Sequence, residues 1–266
     1  MTTSTVIIVS CIILAIAVLM TMTGRGGGNF YVLILVLAGE SMYQAATTGQ
    51  FILMLTAVAG MLIFHKHKLI DWKLALVIDP PTDIMAFVGG YFASSVSGFY
   101  LKLILAALLL ISGIFMMFKV KENPISTHKK WGYWHRKFGD KEYVVNLWLT
   151  LPITALVGLF AGAVGISGGS FKIPLMVLLC GVPMQIAVGT SSAMVAATAL
   201  MGFLGHTTGG NVSVTTAIPI AIAAVIGGVI GGKFAIKTKP KNLKLIFAWT
   251  TIAASLIMII NALKTL

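Results

Sequence analysis

Residues 24–30 read GRGGGNF and residues 165–171 read GISGGSF. Each run of small residues lies between long apolar stretches, where an interior glycine costs a helix roughly 1 kcal/mol relative to alanine. Sliding the chain by 141 positions lays Gly24, Gly27, Gly28, Phe30, Val36, Leu37, Gln44, Ala46 and His65 on Gly165, Gly168, Gly169, Phe171, Val177, Leu178, Gln185, Ala187 and His206. All nine are identities. One residue of slip then matches Gly89-Gly90, Phe92-Ala93 and Leu101-Lys102-Leu103-Ile104 with Gly231-Gly232, Phe234-Ala235 and Leu243-Lys244-Leu245-Ile246. The pattern describes a first repeat over residues 1–118, a polar, basic linker over 119–146 and a second repeat over 147–266.

Composition places both repeats in a bilayer. The 266 residues are 58% hydrophobic and 10% charged, too apolar for a water-soluble globule of that size. Runs able to cross ~30 Å of hydrocarbon extend over Thr5 to Met22, Met42 to Phe64, Leu74 to Ala93, Leu101 to Phe118, Leu147 to Ile166, Pro183 to Leu204, Val212 to Ala235 and Leu243 to Leu263. Phe30 to Ala38 and Phe171 to Cys180 reach only about half way at ~1.5 Å per residue. The expected fold is an all-α integral membrane protein, with about eight long transmembrane helices and two short half-helices that follow the glycine loops.

The net charge of +12 does not make a nucleic-acid binder, because no basic cluster is interleaved with aromatic stacking residues. The excess sits in three loops, His65 to Lys73, Lys119 to Lys141 and Lys237 to Lys244, and basic loops are retained on the cytoplasmic side. All three share that side only if each short segment completes a crossing or forms a re-entrant hairpin with the helix before it. Inverted-topology repeats follow, with both termini external, in a multi-pass cell-membrane protein. Cys11 and Cys180 have no metal-ligand spacing and read as packing residues. No basic residue precedes Val9-Ser10-Cys11, so a cleaved lipoprotein signal is not expected.

Asn29 and Ser170 stand just before the short apolar segments, and both are favoured helix N-caps. A half-helix beginning at each loop would present unpaired N–H groups and a partial positive charge to an anion. Glycine permits the positive φ and close backbone approach that such a loop needs. Gly158, Gly162, Gly227, Gly228 and Gly231 read more simply as close helix-packing positions.

The stretch Gly158 to His206, GLFAGAVGISGGSFKIPLMVLLCGVPMQIAVGTSSAMVAATALMGFLGH, resembles the signature region of the sulfite exporter TauE/SafE family of membrane transporters. Ser167, Gly168, Gly169 and Pro174 match a loop of three consecutive glycines followed by a proline, with serine for the first of the three. Ala187, Gly189, Thr190 and Ser191 match the A-x-G-T-S type helix start that follows. In the first half Gly26, Gly27 and Gly28 are present, Leu33 replaces the proline, and Thr48-Gly49-Gln50 stands where G-T-S would be. The resemblance implies transport of small sulfur-containing anions such as sulfite or sulfonates, commonly outward.

The expected substrate site therefore comprises Arg25, Gly26, Gly27, Gly28, Asn29 and Gln50 from the first repeat, and Ser167, Gly168, Gly169, Ser170, Thr190 and Ser191 from the second. Arg25 is either an oxyanion partner or a topology anchor, and Lys172 carries the same ambiguity with a stem long enough to snorkel. Gln44, Gln50, Gln185, Thr190 and Ser191 are uncharged hydrogen-bonders near helix starts that serve either an anion or a neighbouring helix.

Asp79-Pro80-Pro81-Thr82-Asp83 is the most unusual intramembrane sequence. Counted from Trp72, the two carboxylates lie ~10 and ~16 Å deep, one turn apart and beside a broken hydrogen-bond ladder. That suits a proton or cation coupling site, or a structural pairing with Arg25 or a lysine. His65 and His206 end equivalent helices on opposite faces and read as interface anchors. Gly165-Ile166-Ser167-Gly168-Gly169 also fits a G-x-S-x-G serine-hydrolase pattern with His206 as base, but Gly26 replaces Ser167 in the other repeat. An anion channel uses similar parts. The expectation is a secondary transporter, not an enzyme, with a small anionic substrate, a coupling proton or cation, anionic lipid head groups as neighbours, and no metal or organic cofactor.

Overall fold

The structure, a computed structural model, describes residues 3–117, 131–166, 168–208 and 214–263. It is mostly helical: α1 (Thr3–Met22), α2 (Gly28–Leu37), α3 (Met42–Lys66), α4 (Trp72–Ile78), α5 (Pro80–Phe92), α6 (Gly98–Met117), α7 (Leu147–Ala163), α8 (Gly169–Pro174), α9 (Met184–Thr208), α10 (Val214–Lys237) and α11 (Pro240–Leu263). Among the described residues five helices are long and apolar enough to cross a membrane: α1, α3, α9, and most of α10 and α11. Shorter apolar stretches occupy Gly98–Ile114, Leu147–Ala163, Gly28–Leu37 and Gly169–Leu179. The last two coincide with the half-length runs.

Helix α1 is largely apolar, yet only Val9, Ile13, Ala17, Met20 and Thr21 are buried, at helical spacing on one face. Ile7, Ile8, Ile12 and Leu19 stay exposed, as befits a surface that meets lipid. Ser41 and Gln44 form a reciprocal capping box at the start of α3, which assigns Gln44 to helix initiation and away from any ligand.

The run from Leu74 to Ala93 is not one helix. It divides at Asp79 into α4 and α5, because Pro80 and Pro81 supply no N–H to the carbonyls of Leu76 and Val77. Asp79 keeps right-handed helical dihedrals (φ −86°, ψ −37°), so the axis is interrupted without a loop.

Helix α1 packs against α10 and α5 against α7, while α3 and α9 pack on each other and α6 lies on α11. Backbones touch at these crossings. A Cβ on Gly158 would meet the Thr82 carbonyl oxygen at 2.3 Å, and one on Gly231 would meet that of Val18 at 2.3 Å. The packing role expected of these glycines holds, since only hydrogen fits at such an approach.

The linker is not wholly irregular, and the protein is not purely α. Residues 118–130 lie outside the described residues, but β1 (Tyr133–Phe138) and β2 (Lys141–Asn146) form an antiparallel hairpin that turns at Gly139, φ 58°. Its partner is the loop between α3 and α4. Arg136 donates from Nε and Nη2 to Asp71 at 2.8 Å each, and the Tyr143 hydroxyl donates to the same carboxylate.

Candidate functional site

Both glycine loops are buried, from Thr23 to Asn29 in the first and on either side of Ser167 in the second. Ser167 itself lies outside the described residues. Gly27 (φ 101°) occupies the N-cap of α2 and Gly168 (φ 67°) that of α8, each in the left-handed region and without a side-chain cap. The capping role expected of Asn29 and Ser170 is therefore not met. A left-handed glycine takes the cap, which places those two residues inside the first turn with their side chains directed sideways.

They meet each other. Asn29 Nδ2 donates to Ser170 Oγ at 2.6 Å across 141 positions of sequence, the same offset that aligned the two repeats. A Cβ on Gly169 would lie 3.5 Å from both Arg25 Cα and Ser191 Oγ. Gly26, by the same construction, abuts Leu53 of α3 and Val195 of α9. The loops thus join between α3 and α9.

Arg25 is buried and held by the first loop and α11. Its Nε donates to Thr23 Oγ1 at 3.2 Å, Nη2 to Thr250 Oγ1 at 2.7 Å and to Met20 Sδ at 3.1 Å, and Nη1 to Thr251 Oγ1. Gln50 Nε2 donates to the Ile166 carbonyl at 3.2 Å, linking α3 to the second loop. Among the buried atoms that find no hydrogen-bond partner in the described residues, which also include Thr21 Oγ1, Thr82 Oγ1 and His206 Nδ1, two stand beside the joined loops: Gln50 Oε1 and Ser191 Oγ. Those residues align under the same shift. Thr190 is drawn elsewhere, since its Oγ1 accepts from the Asp71 backbone N–H at 3.0 Å.

Asp79 and Asp83 converge with a lysine on a third element. Lys172 does not snorkel; it is fully buried in α8, ion-paired to Asp79 Oδ1 and bonded to Thr198 Oγ1 at 2.6 Å. Thr198 Oγ1 lies 2.5 Å from Asp83 Oδ1. Sequence reading offered Lys172 as an open question and overlooked Thr198, whose only signal was a hydroxyl two turns along the same helical face from Ser191. It overlooked the Asp71, Arg136 and Tyr143 cluster altogether.

His206 is not an interface anchor. It is fully buried, with Nε2 at 2.9 Å from the Gly162 carbonyl oxygen and its ring edge-on to Tyr43. His65 is exposed and accepts from Trp72 Nε1 at 3.2 Å.

Residues 9–258 match the family model described as Sulfite exporter TauE/SafE. The chain belongs to the TauE/SafE family. It is 25% identical over 239 residues to the probable membrane transporter protein YunE of Bacillus subtilis (strain 168), covering 85% of this chain and 87% of that one. A probable membrane transporter protein of Methanocaldococcus jannaschii is 22% identical over 249 residues, with 88% and 87% covered. Another from Bacillus subtilis, YdhB, is 36% identical over 66 residues, 25% of this chain and 27% of that one. No solved structure matches significantly. Family and relatives agree with the apolar helices: this TauE/SafE protein is a multi-pass membrane protein of a transporter family.

Proposed function

We propose that this protein is a secondary transporter that exports small inorganic or organosulfur anions, sulfite and short sulfonates foremost, by alternating access around the joined glycine loops. The observation that carries the reading is the contact between Asn29 and Ser170, which brings into one buried place the two loops that interrupt the apolar sequence. Non-helical backbone in a membrane protein is tolerable where it is enclosed by protein or lines a cavity. Ser191 and Gln50, with oxygens that no described protein group satisfies, stand beside it. Buried polar atoms ordinarily have partners, and an unsatisfied one asks for a reason. The cation Arg25 belongs to the first loop.

Two inverted-topology repeats supply the mechanism in this reading, with both termini external, the basic loops cytoplasmic and anionic lipid head groups against them. Support comes from the way partners exchange under the shift: α1 lies on α10 as α7 lies on α5. Asp79 and Asp83 supply coupling to a proton or cation. The test is uptake and efflux by proteoliposomes offered sulfite, sulfate, thiosulfate and short sulfonates. Movement of sulfite or a sulfonate, reduced by Asn29→Ala, supports the proposal, and indifference to every anion in the panel sinks it.

A further inference from the structure

The cluster of Lys172, Asp79, Thr198 and Asp83 contains two carboxylates, one ammonium and one hydroxyl. Among the described residues, the other ionisable side chains on the elements packed around it are placed elsewhere: α7 has none, α9 has His206, which contacts Gly162, α4 has the exposed Lys73, α5 the exposed Tyr91, and α6 the exposed Tyr100 and Lys102, which lines a pocket with Glu40, Ser41 and Asn261. With both acids ionised the cluster would hold one excess negative charge away from water, which is strongly unfavourable. One proton or one monovalent cation restores neutrality.

Counting hydrogens at Thr198, whose Oγ1 also lies 3.5 Å from Asp79 Oδ1, points to Asp83 as the place for it. Thr198 Oγ1 has one hydrogen and two lone pairs. It accepts from Lys172 at 2.6 Å, and it lies 2.9 Å from the Met194 carbonyl oxygen and 2.5 Å from Asp83 Oδ1. Both of the latter are acceptors if Asp83 is ionised, and one hydroxyl hydrogen cannot serve both. If Asp83 carries a proton, the competition at the hydroxyl disappears: Lys172 and Asp83 donate to Thr198, and Thr198 donates to Met194, its partner one turn back. The 2.5 Å separation lies within the O–H···O range and leaves no room for an ion between the two oxygens.

We propose that Asp83 is the proton-binding carboxyl of this transporter and that the Lys172–Asp79 ion pair holds the proton there by supplying a fixed, neutral neighbour. This rests on the transport reading and sharpens its coupling step from proton or cation to one proton on one residue. Lys172 stands three residues after Gly169 in the same short helical segment, and Gly168 abuts Thr82, the residue before Asp83. Loss of the Asp83 proton would leave two carboxylates competing for Lys172 and pull on the helix that begins at the second glycine loop.

The test is infrared difference spectroscopy of the purified full-length chain during a pH titration, paired with sulfite flux in proteoliposomes. The wild type is expected to show one buried protonated-carboxyl C=O band at neutral pH. Asp83→Asn removes it; Asp79→Asn also removes it, because Asp83 then becomes the counter-ion of Lys172; Asp83→Glu retains it at a shifted frequency. In flux assays Asp83→Asn moves sulfite down its own gradient but no longer responds to an imposed pH gradient, a loss of at least tenfold in accumulation. A wild type without the band, a band unchanged in Asp83→Asn, or pH-driven accumulation retained by that variant overturns the proposal, as does uptake driven by sodium and indifferent to pH. If the band behaves as expected while no anion moves, the proton site stands and the substrate assignment falls.

Discussion

Ser191 separates function from stability at a single atom. Its Oγ is fully buried and bonds to no described protein group, so Ser191→Ala removes no internal hydrogen bond. Thermal unfolding in detergent should change by less than about 0.5 kcal/mol. If the hydroxyl serves the transported anion, KM for sulfite should rise roughly tenfold, the equivalent of about 1.4 kcal/mol. An unchanged KM removes Ser191 from the site. Glycines offer a second contrast. Gly24 has φ +74°, and a Cβ there would meet the Val188 carbonyl oxygen at 2.4 Å, whereas Gly39 has φ +97° with nothing within 4 Å. Gly39→Ala should cost about 1 kcal/mol from backbone strain alone, and Gly24→Ala about 3 kcal/mol or more, since a backbone must also move. Equal losses would mean that the close approach at Gly24 carries no weight. The glycines of the loops were legible in sequence because only glycine repeats at such positions by need. Asn29 and Ser170 were legible as important but not in their role, because residue identity says nothing about whether a left-handed glycine will take the cap.

The β1–β2 hairpin bears on the start of α9 through one carboxylate. Asp71 caps α4 by accepting from Leu74 N–H at 3.2 Å, takes the Arg136 fork and the Tyr143 hydroxyl, and offers its own N–H to Thr190. Burial alone would raise its pKa; hydrogen bonds from Arg136, Tyr143 and Leu74, together with the Arg136 charge, outweigh that and hold it below the usual carboxylate range. A depressed value in the folded state means that this stabilisation is complete above the ordinary carboxylate pKa of about 4. It is lost only as pH falls through the lower, folded value. The hairpin should therefore remain docked throughout the neutral and mildly acidic range. Arg136→Ala strips the strongest partner from a buried carboxylate, for about 2 kcal/mol. Tryptic cleavage at Lys137 and Lys141 should then accelerate roughly thirtyfold, and cleavage at the wild-type rate would deny the hairpin its anchoring role. None of this was readable in advance. Asp71 and Arg136 are 65 positions apart, and a charged linker in sequence looks the same whether it is solvated or folded back.

Across the whole molecule, the two halves that the sequence shift aligns differ in chemistry. At the positions that the 142-residue shift assigns to Asp79 and Asp83 stand Ala221 and Val225, which line an apolar cavity of about 220 Å³ against Phe51 and Leu55. The two carboxylates thus occupy one of two places related by the shift, and the other is apolar. The orientation is open to direct measurement. In a background with Cys11→Ser and Cys180→Ser, a cysteine at Ser97 should react with a membrane-impermeant maleimide in intact cells, and one at Asp140 only in inverted vesicles. Labelling of both from one side would overturn this orientation. What the sequence by itself determined is the membrane setting, most helix extents, the glycine-loop interruptions and the family, because apolar length, charge placement and glycine spacing are local properties of the chain. What only the tertiary structure decided is which groups meet: Asn29 with Ser170, Lys172 with Asp79, Arg136 with Asp71. Those pairings depend on how helices cross in three dimensions, and the glycines that allow the crossings do not name the side chains that the crossings bring together.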